Sequence, residues 1–255
     1  MGLKKLEYST LGDLLEHEQI SQEDPDTLKI IRSLRHVKVD KELSRREFLD
    51  ICRWKSPRSI RQCRRNSARS VDSMCRKALT THSEEKRLEL LTSLYGVSVP
   101  TASAILTLTN PVRYGVIDIR VWQLLYRLGS VTKNPRGQGF STEDWLQYLT
   151  ILRYHARRLR VPVRSVELTL FKYHQDHQRG TLYKTLSLSG RSLSDALYCE
   201  SSNSRVANGP PRGEARRMNP SATPTGIVSD SLPEEPCELL LTVRDRVNQE
   251  RRIPL

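Results

Sequence analysis

LTSLYGVSVPTASAILTLTNPVRYGVIDIRVWQLLYRLG occupies residues 91–129. Over Glu84 to Leu94 the apolar positions Leu88, Leu91 and Leu94 recur at helical spacing, which predicts a helix with one buried stripe. Gly96 follows, the residue expected where a chain leaves a helix at positive φ, and Pro100 with Thr101 restarts a helix. The order is helix, very short turn, helix. The second helix, Thr101 to about Leu108, is small and apolar enough to lie close against the first, and Asn110-Pro111 ends it. Tyr114 to Ile117 then reads as a short, strand-like approach to Asp118. Because Asp118 stands just before the periodic run Val121, Trp122, Leu125, Leu128, it is predicted to cap that helix by accepting from orphan backbone N–H groups.

These residues resemble the helix-hairpin-helix segment of the DNA glycosylase superfamily that includes endonuclease III and the adenine glycosylases. The family's hairpin pattern is matched by Leu91, Leu94, Gly96, Val97, Ala102, Ile105 and Leu106, and its catalytic aspartate falls on Asp118. The position where bifunctional members carry a lysine lies eighteen residues before Asp118, and here it is Pro100. The second hairpin glycine is replaced by Ser98, a residue that disfavours positive φ. The likeness is strong over Leu88 to Leu128, extends at the level of helix count and order over roughly Asp40 to Gln178, and stops short of the last seventy-odd residues.

The resemblance implies an all-α fold, a two-lobed helical bundle built on a helix-hairpin-helix motif. Residues 1–40 and 141–179 would form a packing lobe, 41–140 the hairpin lobe, and 180–255 a tail. It implies further that Gly96, Val97, Ser98 and the helix start at Thr101 hold a strand of double-stranded DNA through backbone N–H groups. N-glycosidic cleavage develops positive charge on the sugar, so a fixed carboxylate beside it that also orients water is the minimal apparatus. Asp118 is the candidate, and helix capping alone explains it equally well. Pro100 has no amine to attack the sugar carbon, so an enzyme of this kind would be a monofunctional glycosylase that leaves an abasic site. Two other classes use the same residues: a non-catalytic helix-hairpin-helix DNA-binding module, and a basic helical adaptor for acidic proteins.

Charge supports a polyanion partner. The formal net charge is +13, and all of the excess lies in residues 51–180, where twenty-three basic residues face nine acidic ones. The densest part is Arg58 to Lys77, with Arg58, Arg61, Arg64, Arg65, Arg69, Arg76 and Lys77 against the single acid Asp72. In glycosylase relatives a loop near this point enters the duplex, which makes Trp54, Lys55 and Arg58 candidates: the indole to wedge or stack, the cations to hold phosphates. The alternative for Trp54 is packing at the end of an apolar helix face. The alternative for the arginines is a solvated basic face.

The remaining features bound the class. Cys52, Cys63, Cys75, Cys199 and Cys237 are scattered with no Cys-x-x-Cys pair, so neither a disulfide scaffold, a zinc site nor an iron–sulfur cluster is expected, and no cofactor is implied. No apolar run approaches the ~20 residues that span a bilayer, and the first residues lack an apolar signal region, so a cytoplasmic protein, nucleoid-associated if it binds DNA, is the expectation. An apolar fraction of 37% is low for a fully globular chain. The Ser-, Pro- and Asn-rich composition beyond Gly180 is that of a disordered tail, with one possible strand at Leu239 to Val243.

Along the rest of the chain, Ser9 or Thr10 is expected to cap a helix bearing Leu11, Leu14 and Leu15, and Asp24-Pro25 to open one bearing Leu28, Ile31 and Leu34. The next helix is expected from Asp40, with Leu43, Phe48, Leu49 and Cys52, ending near Pro57. A long helix from Ser141 and a final one over Ser165 to about His177 complete the reading.

Overall fold

Side chains that accept from backbone amides mark where the helices begin. A computed structural model describes residues 6–179, together with the backbone of Gly2–Leu3 and Leu182; Cys199, Cys237, Leu239 to Val243 and the rest of the expected tail lie outside the described residues. Thr10 opens α1 (Leu11–His17) and Asp24 opens α2 (Pro25–Ser33), each accepting from amides of the first turn. Ser44 and Glu47 form a reciprocal capping box at the start of α4 (Arg45–Lys55), and Ser141 with Asp144 does the same for α10 (Thr142–Leu159). Ser67 opens α6 (Ala68–Thr80), Ser83 opens α7 (Glu84–Thr92) and Asp118 opens α9 (Ile119–Arg127). Together with α3 (Arg35–Asp40), α5 (Ile60–Cys63), α8 (Val99–Thr109) and α11 (Val163–His177), these are the eleven α-helices of the described residues. The protein is all-α; the one strand pairing among the described residues is Gly2–Leu3 with Gln178–Arg179, antiparallel.

Three boundaries differ from the sequence expectation. The chain breaks at Leu34, so the first forty residues hold three helices rather than two. Asp40 ends a helix instead of starting one: Lys41 adopts φ 58°, and α4 waits for Ser44. Tyr114 to Ile117 is extended but joins no sheet, because side chains rather than a neighbouring strand take its polar groups. Val116 N–H donates to Glu167 Oε2 at 3.3 Å, Ile117 N–H to Ser103 Oγ at 3.1 Å, and the Val116 carbonyl accepts from Tyr148 OH at 2.7 Å. All four residues of the run are buried, so each of these bonds replaces one to water. Gly115 is needed by proximity: a Cβ there would stand 2.8 Å from Leu152 Cδ1 and 2.9 Å from Glu167 Cβ.

The core runs through α4, α7, α8, α9, α10 and α11, where Phe48, Leu88, Leu91, Ile105, Trp122, Trp145 and Tyr148 are fully enclosed. Small residues let α8 sit at the centre, with every residue from Thr101 to Thr109 buried. The segment around α1 packs on α10 and α11: Tyr8 meets Tyr173 at 5.8 Å between ring centroids, and Ser21 N–H donates to Thr169 Oγ1 at 2.8 Å. By contrast, α2 and α3 lie against α8. Cys52, Cys63 and Cys75 are free, buried thiols, and burial pushes the Cys75 thiol up to about 12. Among the described residues no helix is long and apolar enough to cross a membrane.

The turn between α7 and α8 is held from below. Gly96 has φ +76°, and a Cβ there would lie 2.8 Å from the Cys63 backbone nitrogen and 2.9 Å from its sulfur. Asn66 grips the neighbouring Tyr95 at both polar groups, accepting from its N–H and donating to its carbonyl at 2.9 Å each. Gly96→Ala therefore meets both a disfavoured φ and a backbone collision. It should lower unfolding free energy by about 2–4 kcal/mol, measured by urea denaturation, with loss of under about 0.5 kcal/mol telling against this packing.

Candidate nucleic-acid interface and carboxylate site

Ser103 joins the α7–α8 turn to the segment that carries Asp118. Its hydroxyl donates to the Pro100 carbonyl at 2.8 Å while accepting from Ile117 N–H. Ser103 is about one turn into α8, so its hydroxyl ties the residue preceding Asp118 to the N-terminal part of that helix. Pro100 occupies the first turn of α8, where its missing N–H breaks no helical bond. Ser98 carries φ −89°, an extended conformation open to any residue, so the serine there strains nothing. Val97 is buried and its N–H goes to the Leu94 carbonyl; Thr101 is buried with its hydroxyl 3.3 Å from Ser98 Oγ. The first-turn amides of Val99 and Thr101 have no intrahelical acceptor, as at any helix start.

Asp118 is engaged at both oxygens. Oδ1 accepts from Arg120 N–H at 3.0 Å, the expected cap of α9, and Oδ2 accepts from Lys55 Nζ at 2.8 Å. The two side chains remain 20% and 16% exposed, so the pair is largely buried but keeps some contact with solvent. Burial alone would raise the Asp118 carboxyl, but the Lys55 ammonium and the Arg120 amide outweigh it and hold the group below the usual carboxylate range. The carboxylate is thus charged at neutral pH, and Lys55, expected to hold phosphate, is instead its counter-ion. An amine does reach Asp118 in this way, from α4 rather than from the position of Pro100, and it does so as an ammonium.

Behind this pair lies a buried polar layer. Arg164 pairs with Glu23 at 2.6 Å and with Glu167, and Glu167 in turn receives Val116 N–H. Burial raises the Glu167 carboxyl despite Arg164 beside it, while Glu167 and Glu23 together keep the Arg164 guanidinium protonated against its own burial. His174, on α11, is 1% exposed and neither ring nitrogen has a hydrogen-bond partner. Burial, and then the Arg120 guanidinium, push it down to about 4, against the opposing pull of Asp118.

Trp54 lies apart from the surface role suggested for it. Its Nε1 donates to Thr27 Oγ1 at 3.1 Å and the Arg164 guanidinium covers its ring at 5.7 Å from the centroid, so the indole stitches α4 to α2. Arg58 is exposed in the short 3-10 turn Pro57–Ser59. Arg61, Arg64 and Arg65 are exposed around α5, the element that supports Gly96, and none of them has an acidic partner among the described residues. The cations near the end of α10 are different: Arg153 pairs with Glu84 at 2.8 Å and Arg158 with Glu16. Arg61, Arg64 and Arg65 thus leave positive charge without an acidic partner on the segment that supports Gly96. Three residues with a part in this region carry no mark in the linear pattern as read above: Asn66, His174 and Tyr95. For Tyr95 a signal exists, since an aromatic directly after Leu94 falls off the Leu88, Leu91, Leu94 stripe.

Two titrations should separate in acid. A folded His174 near 4, against about 6.5 unfolded, means the unfolded chain binds the extra proton, so stability should fall by about 2–3 kcal/mol as pH drops from 6.5 to 4. The depressed Asp118 contributes stability that is lost only as pH falls further, from about 3.9 through its folded value. Thermal melts of wild type and His174→Phe across pH 4–7 check this; equal slopes would refute it. Lys55→Met strands the Asp118 charge and should cost about 2–3 kcal/mol at neutral pH, read from urea denaturation, with the Asp118 carboxyl resonance titrating higher.

No family model matches the chain, and neither curated proteins nor solved structures return a match.

Proposed function

We propose that this chain binds duplex DNA through the α7–α8 turn and the arginines Arg58, Arg61, Arg64 and Arg65, and that Asp118 serves there as the carboxylate of a monofunctional DNA N-glycosylase. The observation that carries this reading is an ionised, part-exposed carboxylate on the segment that Ser103 ties to α8, together with the exposed Arg61, Arg64 and Arg65, which have no acidic partner among the described residues. A phosphate oxygen at the turn would meet the first-turn amides of α8 and the arginine charges together. The deoxyribose of the same nucleotide would then face Asp118, whose negative charge offsets the cationic sugar as the glycosidic bond breaks. Extruding the base costs a few kcal/mol, least for a damaged or mismatched one.

Lys55 fits this scheme as the group that keeps Asp118 ionised. So long as it is the charged partner of that carboxylate it is no nucleophile, and water takes the sugar carbon. A second reading, a non-catalytic DNA-binding module, draws on a specific observation: both Asp118 oxygens already have protein partners, which is what a purely structural cap and ion pair require.

Incubating the protein with duplexes carrying damaged or mismatched bases, then alkali, should reveal abasic sites. Asp118→Asn should lower their yield by at least about 100-fold, while borohydride should trap no covalent adduct. Equal inertness of both proteins on every duplex leaves the non-catalytic module; a trapped adduct overturns the monofunctional assignment. If the four arginines each meet one phosphate, affinity should fall about 100-fold between 50 and 200 mM salt. Binding that is absent or insensitive to salt rejects both DNA readings.

A further inference from the structure

Three large apolar side chains stand out in water among the described residues: Val39, Tyr95 and Tyr154. Tyr95 differs from the others in where it stands and how it is held. It is 58% exposed at the bend between α7 and α8. Its backbone is clamped at both polar groups by Asn66, a buried residue that also donates to the Cys63 carbonyl at 2.9 Å. The Arg65 guanidinium lies over the ring at 4.6 Å from its centroid, so one face is taken by a cation. Arg61 and Arg64 flank Cys63, whose backbone nitrogen and sulfur are the atoms that abut Gly96.

An exposed aromatic ring on a rigid bend, backed by a planar cation and carried beside a segment with further exposed arginines, has the elements of a base-stacking platform. The aromatic face offers dispersion and π overlap to any nucleobase, the cation polarises the ring from behind, and the arginines meet the phosphates on either side. Duplex DNA with every base paired offers no base face to such a ring; a base displaced from the stack does. Trp54, the other aromatic candidate, is committed to Thr27 and Arg164. Tyr154 on α10 makes an edge contact with its neighbour His155 and lacks the clamp.

We infer that Tyr95, backed by Arg65, stacks on an unpaired nucleobase of bound DNA and so makes the protein prefer DNA with a displaced base over intact duplex. The inference rests on the DNA-binding reading above and adds to it the structural class of DNA recognised. It concerns the bend and is independent of whether Asp118 catalyses anything.

The test compares two short duplexes at one salt concentration, one fully paired and one with a single bulged 2-aminopurine, titrated with wild type, Tyr95→Ala and Tyr95→Phe. Stacking is worth about 1–3 kcal/mol per base, so wild type should bind the bulged duplex at least about fivefold more tightly and quench the probe's emission. Tyr95→Phe should keep both effects. Tyr95→Ala should lose both while holding the fully paired duplex within about twofold of wild type, since the arginines supply that affinity. Because the side chain is exposed and the clamp is to backbone, the alanine variant should melt as wild type does. If Tyr95→Ala keeps the preference, or wild type has none while binding both duplexes, the stacking inference fails and the DNA-binding reading survives. If wild type binds neither duplex at low salt, both fail together.

Discussion

The Ser103 hydroxyl, buried in the middle of the bundle, spends its proton on the Pro100 carbonyl and its lone pair on the Ile117 amide. The Ile117 amide would otherwise have to find water in an apolar interior. The bond fixes the first turns of α8 relative to the chain entering α9. Glu167 and Tyr148 finish the task by taking the amide and carbonyl of Val116, so a stretch of extended chain passes between helices without a strand beside it. Gly115 sits where Leu152 and Glu167 come closest to that stretch, which leaves no room for a side chain.

The interior is unusually polar for a helical bundle, and its charges are arranged in order of depth. Glu167 and Arg164 are nearly enclosed, with Glu23 closing the group, and such a set is strongly destabilising when any one member is removed. One layer nearer to solvent, Lys55 and Asp118 keep enough exposure to be partly hydrated. Outside them Arg61, Arg64 and Arg65 have no acid at all among the described residues, whereas Arg153 and Arg158 of α10 are paired with Glu84 and Glu16. Folding thus consumes the positive charge on one part of the surface and leaves it available on another.

The residues of the candidate site were unevenly legible. Asp118 as a cap, Gly96 as a left-handed turn residue and Pro100 in a first helical turn all follow from local backbone rules that hold wherever the chain goes. Trp54 and Lys55 were visible as residue types but not as roles. An indole and an amine at the end of α4 suit a DNA contact or a packing contact equally until Thr27, Arg164 and Asp118 are placed around them. The strand-like character of Tyr114 to Ile117 was right about the backbone and silent about its partners, since β-branched and aromatic residues favour extension whatever satisfies their amides. Asp40 was misplaced because the helical period carries on through Lys41, where only the left-handed turn and the Ser44 cap reveal the break.

By itself, the sequence determined the class of fold, the order of most helices and the caps at Thr10, Asp24 and Asp118, because these depend on contacts within a few residues along the chain. It also determined that positive charge accumulates in residues 51–180. Only the tertiary structure decided that Lys55 meets Asp118 across sixty-three residues, that Asn66 clamps Tyr95 across twenty-nine, and that Trp54 turns inward. Those outcomes depend on how helices pack, and packing is settled by the sum of many weak contacts that leave no periodic trace in the string of residues.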